Sequence, residues 1–341
     1  MGSGRGKWET TRTTSCGTVI GTAPGRNPTC PRLSFLHGRS PSVCDLQSVG
    51  GSELRGDDVS PRAPAAGAGG RVPKDTGAWG CGEAGPRCCP GRVRHRGGGD
   101  GTVHEVANGL LQVGRPEVAF GVLPMGSGND YARVLGVPFT PQAMCERLLA
   151  SDSWLVDVGE VTADGGLGQR FFVNTMGFVL SGAATWEARR IRSLRGLPLY
   201  GLAAVRAIWK HFQAAPTQLQ IDSRTLDWAT LYLAVAVGRA EGGGFVVAPH
   251  AKLDDGWFDY LHAGPLSRWR ALGYLPKMIT GNLPDHDPTI HRGRCQTLAV
   301  HSQTPIFAHC DGEMFASPSA PASQFEIRMH PLRLKIRGPS A

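Results

Sequence analysis

Gly98-Gly99-Asp100-Gly101-Thr102-Val103-His104-Glu105 is a glycine-packed turn that runs directly into an apolar-periodic segment, and its reading decides the fold. Three glycines around one carboxylate let backbone N–H groups approach a phosphate closely, and the helix that follows turns its positive N-terminal end toward that charge. Thr102 and Glu105 stand at the spacing of a capping box, which puts helix entry near Thr102. Val103, Val106, Leu110 and Val113 then recur at helical spacing. A Gly-rich surface turn with a solvated Asp would give the same isolated string, so the assignment depends on its surroundings.

A second glycine loop supplies that context. Val118-Ala119-Phe120-Gly121-Val122-Leu123 is a short apolar run of the kind a buried parallel strand shows, and it feeds Pro124-Met125-Gly126-Ser127-Gly128-Asn129-Asp130. The two loops lie one strand–helix unit apart. In a parallel sheet with right-handed crossovers both emerge at the carboxyl ends of their strands, where open α/β sheets bind ligands, so they can face one nucleotide.

The strings GGDGTVHEVANGLL at 98–111 and LPMGSGNDYARVLG at 123–136, with Asp311-Gly312-Glu313 far downstream, resemble the diacylglycerol kinase catalytic-domain family. The resemblance is strongest to the soluble bacterial lipid kinases, with sphingosine and ceramide kinases as relatives, and it covers about residues 97–337. GGDG alone also occurs in NAD kinases and phosphofructokinases, but the His-Glu-Val-x-Asn-Gly-Leu continuation and the GSGND loop fit the lipid-kinase branch better. Ser127 stands where many members have Thr and keeps the hydroxyl. The fold implied is an NAD-kinase/phosphofructokinase-like α/β nucleotide domain followed by a β-sandwich-like domain.

The formal charge of +8 would point to an anionic partner if it were spread over the chain. It is not. Residues 1–96 hold 14 Lys and Arg against 7 Asp and Glu, a balance of +7 that leaves +1 for everything after. Nucleic-acid binding is therefore not expected. Six of the nine cysteines also fall before residue 97, no CxxC pair occurs, and neither a secretory leader nor an apolar run of about 18 residues is present. Zinc, export and a membrane span are unsupported, and a cytoplasmic protein that meets its lipid peripherally at a membrane surface is the expectation. A homodimer is compatible with this.

Residues 1–96 do not read as a folding unit. They contain 18 Gly and 9 Pro, only six Leu, Ile and Phe together, and no sustained period of 2 or 3.6. The resemblance implies strand–helix units here, so the N-terminal part of the nucleotide domain reads as missing or disordered. A strand feeding a phosphate turn in a parallel sheet is buried on both faces, yet Arg92-Val93-Arg94-His95-Arg96 precedes this one, and such charges do not belong there. Two readings account for the segment: translation out of the ancestral frame, or a genuine basic extension.

Beyond the second loop, Pro141 to Ala150 reads as a helix, and a boundary falls near Asp152. Residues 97–152 are then the remnant of the ATP-binding domain, 153–330 a β-rich lipid-substrate domain and 331–341 a C-terminal strand or tail. Trp154–Val161 and Arg170–Phe178 read as strands, Ala183–Leu194 and Leu199–Phe212 as helices. The second helix carries Leu202, Val205, Ile208, Trp209 and Phe212 on one face, which is read as core packing ahead of membrane contact. From Thr217 onward short strands dominate, separated by Gly, Pro and Asp turns.

The resemblance assigns roles residue by residue. Glu313 is implied as the general base that accepts the acceptor hydroxyl's proton, Asp100 as the carboxylate organising the nucleotide phosphates and a catalytic Mg²⁺, and Asp130 as its partner. Gly98, Gly99, Asp100, Gly101, Thr102, Val103, His104, Glu105 and Ser127 would hold ATP. A structural Mg²⁺ is implied at the turn around Asp255, through that side chain and the carbonyls of Lys252 and Trp257, with Asp157 linked through water; without the resemblance this turn reads as a solvated hairpin. His104, His250 and His309 have no catalytic role in this scheme. The implied activity is ATP-dependent phosphorylation of a lipid hydroxyl in phospholipid metabolism, diacylglycerol first and a sphingoid base behind it. An inactive remnant of such a kinase and a NAD-kinase-like enzyme are the alternatives.

Overall fold

The computed structural model describes residues 94–115, 118–149, 152–284 and 286–340; the low-complexity segment and its two readings lie outside the described residues up to position 93. The first unit runs β1 (Arg94–Gly98), α1 (Asp100–Val113), β2 (Phe120–Pro124), α2 (Asp130–Val134) and α3 (Pro141–Leu149). β1 and β2 pair in parallel, Arg94 opposite Phe120 through Gly98 opposite Pro124. Arg94, His95 and Arg96, the described part of the charged stretch not expected in a strand, are thus in a strand. Among the described residues β1 pairs only with β2.

α1 begins two residues before the expected entry, with Gly99 at its N-cap and no side-chain cap, so Thr102 and Glu105 do not form a capping box. Its buried stripe is Val103, His104, Ala107 and Leu111, whereas Val113 is exposed. The face is rotated because His104 turns inward to meet Asp311. Gly114, at φ 67°, closes the helix in the left-handed conformation that glycine adopts without a Cβ clash.

The remaining elements are β3 (Ser153–Ala163), β4 (Gly168–Phe172), β5 (Thr175–Val179), α4 (Leu180–Ala188), α5 (Gly196–Lys210), β6 (Ala215–Ile221), β7 (Arg224–Thr230), β8 (Tyr232–Ala236), β9 (Ala240–Glu241), β10 (Phe245–Val246), β11 (Phe258–Ala263), α6 (Arg268–Thr280), β12 (Ile290–Cys295), β13 (Thr297–Ser302), β14 (Ala308–Cys310), β15 (Glu313–Ala316) and β16 (Gln324–Arg337). They build a two-stranded sheet, β10-β9, and two large ones. One has the order β1-β2-β16-β13-β6-β7, with β3 paired to β16 and β4; the other is β12-β11-β8-β5-β14-β15. Their inner faces interdigitate as a sandwich, with Phe178 edge-on to Phe325 and Phe172 stacked on Phe258.

The single strand expected over Arg170–Phe178 is two, because the chain crosses between sheets at Val173-Asn174. Asp311 holds the crossing: its carboxylate accepts the N–H groups of Val173, Asn174 and Thr175 at 2.8–3.2 Å. The division at residue 331 falls inside β16, which continues to Arg337, pairing with β3 on either side of an irregularity between His330 and Leu334 and in parallel with β2 at Ile336. That strand joins the α/β unit and the sandwich into one sheet.

α5 divides the stripe read as core packing: Ile208 is buried, whereas Leu202, Val205 and Trp209 are not. Ala203 and Ala207 face inward beside Ile208, so small alanines let the helix lie close on α4 and turn the larger side chains out. α6 was not legible, because Gly273 and Pro276 interrupt its pattern.

Candidate active site

The two glycine loops meet back to back. A Cβ added at Gly126 would stand 2.1 Å from the Cα of Gly99, and one added at Gly99 would stand 2.9 Å from the Cα of Gly126, so no side chain fits at either position. Met125 N–H donates to the Gly98 carbonyl, fastening the second loop to the first. Asn129, at φ 54°, accepts from Gly126 N–H and donates to its carbonyl, which fixes the loop that delivers Asp130 to the start of α2. The first turn of α1 leaves the Gly101 and Thr102 N–H groups without intrahelical acceptors, and these are the donors a phosphate can use.

Asp100 and Asp130 come together beneath these loops. Asp100 accepts from Tyr131 N–H at 3.1 Å and Asp130 from Gly243 N–H at 2.7 Å. A Cβ at Gly128 would stand 2.7 Å from one Asp100 oxygen and 3.5 Å from one Asp130 oxygen, so the glycine is the space between two carboxylates. Burial raises the pKa of both; with the Asp100 charge beside it, Asp130 is pushed up to about 7. Glu313 arrives from β15 on the other side of α1, where a Cβ at Gly101 would lie 2.6 Å from its Oε1. The nearby Tyr200 phenol is raised by burial and then by the charges of Asp100, Asp130 and Glu313.

Asp100 and Asp130 form one end of an apolar cavity, which runs on between Ala204 and Ile208 of α5, Ala271, Tyr274 and Met278 of α6, and Leu261 and Ile290 of the second sheet. A polar cluster sits in its wall: Glu241 accepts from Ser181 Oγ at 2.9 Å and from Tyr232 OH at 2.7 Å, and His309 Nε2 lies 2.9 Å from Ser181 Oγ. Burial alone would raise the Glu241 pKa, but the bonds from His309, Tyr232 and Ser181 outweigh it and hold the carboxylate below its ordinary value. Sequence reading found none of Ser181, Tyr232 and Glu241, since they lie in segments without a motif.

The other expected positions divide. Gly98, Gly99 and Gly101 form the turn, with Thr102 tucked against Gly98. Val103 and His104 point inward, Val103 to the cavity wall and His104 Nδ1 to Asp311 at 2.8 Å, so only the backbone of these two is available to a nucleotide, while Glu105 is exposed. Ser127 Oγ accepts from Gly196 N–H at 2.6 Å, tying the second loop to the start of α5. His250 is exposed.

Nucleotide phosphates and Mg²⁺ fit at the first pair of carboxylates. Asp130 Oδ1 is buried with no hydrogen-bond partner among the described residues, and the Arg133 guanidinium 3.6 Å from it is half exposed. Mg²⁺ characteristically uses one or two carboxylates and takes its other ligands from phosphates and water, so the lack of any larger acidic or His/Cys cluster among the described residues does not conflict with it. At the Asp255 turn the carboxylates are engaged by protein donors. Asp255 is bonded to Arg294 and to Trp257 N–H, and both Asp157 oxygens are taken by Gly256 and Leu332 N–H groups.

Comparison with known proteins places the chain in a family. Residues 96–161 match the diacylglycerol kinase catalytic domain and residues 177–337 the YegS C-terminal NAD kinase beta sandwich-like domain. A Pseudomonas aeruginosa protein named "Probable lipid kinase YegS-like" is 37% identical over 230 residues, 64% of this chain and 68% of that one. "Lipid kinase YegS" of Escherichia coli is 26% identical over 249 residues, 71% of this chain and 77% of that one. A crystal structure titled a diacylglycerol kinase from Bacillus anthracis superposes with a TM-score of 0.53 at 18% identity, over 72% of this chain and 76% of that one, a likeness of fold. With both halves of the lipid-kinase architecture matched and the two glycine loops meeting beside an apolar cavity, the chain belongs to the YegS-like family of lipid kinases.

Proposed function

We propose that this lipid kinase transfers the γ-phosphate of Mg-ATP to the free hydroxyl of diacylglycerol, giving phosphatidic acid. The observation that carries the reading is the meeting of Asp100, Asp130 and Glu313 around the start of α1, at one end of an apolar cavity. In this scheme residues 94–152 hold the nucleotide and the sandwich holds the acyl chains.

The residues divide the work by chemistry. The glycine loops expose backbone N–H groups to the phosphates, and Asp100 and Asp130 would hold the Mg²⁺ that neutralises charge on the transferring phosphoryl group. Glu313 accepts the proton of the attacking hydroxyl. The cavity walls on α5 and α6 take up the acyl chains and keep water from competing as acceptor. Glu241, held ionised by its neighbours, offers an acceptor to a second polar group of the substrate head.

The test is transfer of labelled phosphate from Mg-ATP to diacylglycerol in mixed micelles, with sphingosine and NAD as competing acceptors. Labelled phosphatidic acid, lost by about 10²–10⁴-fold in Glu313→Gln with the fold unchanged by circular dichroism, is the expected result. Preferential labelling of sphingosine or NAD would replace the acceptor, and no labelling of any of the three would overturn the proposal.

A further inference from the structure

We propose that the outer faces of α5 and α6 are the surface by which the protein docks on an anionic phospholipid bilayer, an inference that rests on the lipid-acceptor reading above. Leu202, Val205 and Trp209 follow one another along one face of α5, and all are exposed, Trp209 by 58%. Trp269 near the start of α6 is 75% exposed and packs edge-on to Trp209 at 6.3 Å. A pair of mutually supported, solvent-facing tryptophans costs a water-soluble surface more than it returns, and it is the side-chain type that settles at the depth of lipid headgroups.

Two further observations say what covers this face. Residues 188–210 contain six Arg and Lys and residues 264–284 contain three, with no Asp or Glu in either, although the chain beyond residue 96 is nearly neutral. Of these cations, Arg190 and Lys210 pair with Glu187 and Arg270 with Asp287, while Arg206 and Lys277 on the two helices form no salt bridge among the described residues. A surface with a net excess of cations around apolar side chains complements an anionic leaflet, and it would repel a second copy of itself. The same two helices also line the cavity with their opposite faces, through Ala204, Ile208, Ala271, Tyr274 and Met278, whereas none of Leu202, Val205, Trp209 and Trp269 does so. A lipid leaving the headgroup layer between α5 and α6 would therefore enter the cavity that ends at Asp100 and Asp130.

The experiment measures co-sedimentation of the full chain with phosphatidylcholine vesicles, with and without a quarter phosphatidylglycerol, beside phosphate transfer to water-soluble dioctanoylglycerol and to vesicle-borne diacylglycerol. The wild type is expected to prefer the anionic vesicles at least tenfold, with affinity falling as salt rises. W209A/W269A is expected to lose at least tenfold in vesicle affinity and in transfer to vesicle-borne substrate, with an unchanged Tm and an unchanged rate on dioctanoylglycerol. Equal vesicle binding by wild type and variant, no preference for anionic lipid, or a wild-type dimer in sedimentation equilibrium that the variant abolishes would each overturn the proposal. Tryptophan-dependent binding to anionic vesicles without phosphate transfer to either lipid would support this surface and remove the acceptor reading instead.

Discussion

Asp130 carries the most consequential side chain of the site, because folding places its carboxylate where it can ionise only with help. Its folded pKa of about 7 stands above the ordinary 3.8, and burial, followed by the charge of Asp100, is the cause. An acid raised in this way stabilises the fold fully at pH values below its unfolded pKa, and that contribution is lost as pH rises through about 7. The displacement corresponds to roughly 4 kcal/mol. In the absence of nucleotide and Mg²⁺, the Tm of the wild type is therefore expected to fall between pH 5.5 and pH 8. Asp130→Asn should flatten that slope and unfold at a higher temperature at pH 8, while abolishing phosphate transfer; an unchanged slope in thermal melts would assign the titration to another group. Asp311 is the structural counterpart. Its carboxylate accepts three backbone N–H groups where the chain changes sheets and also bonds His104 of α1. Asp311→Ala leaves these donors buried without an acceptor, and chemical denaturation should show a loss of about 3–5 kcal/mol. From sequence Asp311 was only the first letter of Asp-Gly-Glu, and nothing local announces that a carboxylate will meet donors 136–138 positions away.

The two glycine turns work as a single element. Gly99 and Gly126 touch backbone to backbone, and since backbone atoms cannot rotate aside, Gly126→Ala must push one loop off the other. The cost expected is about 1–3 kcal/mol of stability, with a larger proportional loss of ATP affinity in titration calorimetry, because the phosphate donors on α1 shift with the loop. Gly109 is the internal control: nothing lies within 4 Å of a Cβ there, so Gly109→Ala should leave nucleotide binding intact and slightly stabilise α1. These turns were legible in the sequence because their chemistry is local, glycine spacing followed by helical periodicity. The exact start of α1 was not, since Gly99 caps it without a side chain and Thr102 mimics the cap that does not form. β7 and α6 escaped for a related reason. β7 alternates polar and half-buried residues at a sheet edge, and α6 contains a proline, so each is held by tertiary packing that no local pattern records.

At the scale of the whole molecule, one strand decides whether there is one structure or two. The chain enters the α/β unit, leaves it for the sandwich over residues 153–323, and returns only at β16. That strand shifts register between His330 and Leu334; its first part pairs with β3 and β13, and its last part lies between β3 and β2. The return could not be read from the sequence, because β16 alternates like any surface strand and its parallel contact with β2 joins positions 216 residues apart. It has a measurable consequence. Leu334 and Ile336 are 3% and 1% exposed and pack in the same core as Phe120, Val122 and Val156. Burying two such side chains is worth about 3–6 kcal/mol, and their loss would fall on the contact that holds β2, and with it the second glycine loop, against the sandwich. A chain ending at His330 should therefore unfold in a broadened transition, lose ATP binding in calorimetry, and be cut by trypsin within residues 94–149 before the sandwich is cut. A double substitution, Leu334→Ala with Ile336→Ala, should reproduce the loss of nucleotide affinity in a full-length chain. If the truncated protein instead binds ATP normally and unfolds in one sharp transition, the two sheet halves are held together by the α1 and β4 contact rather than by β16.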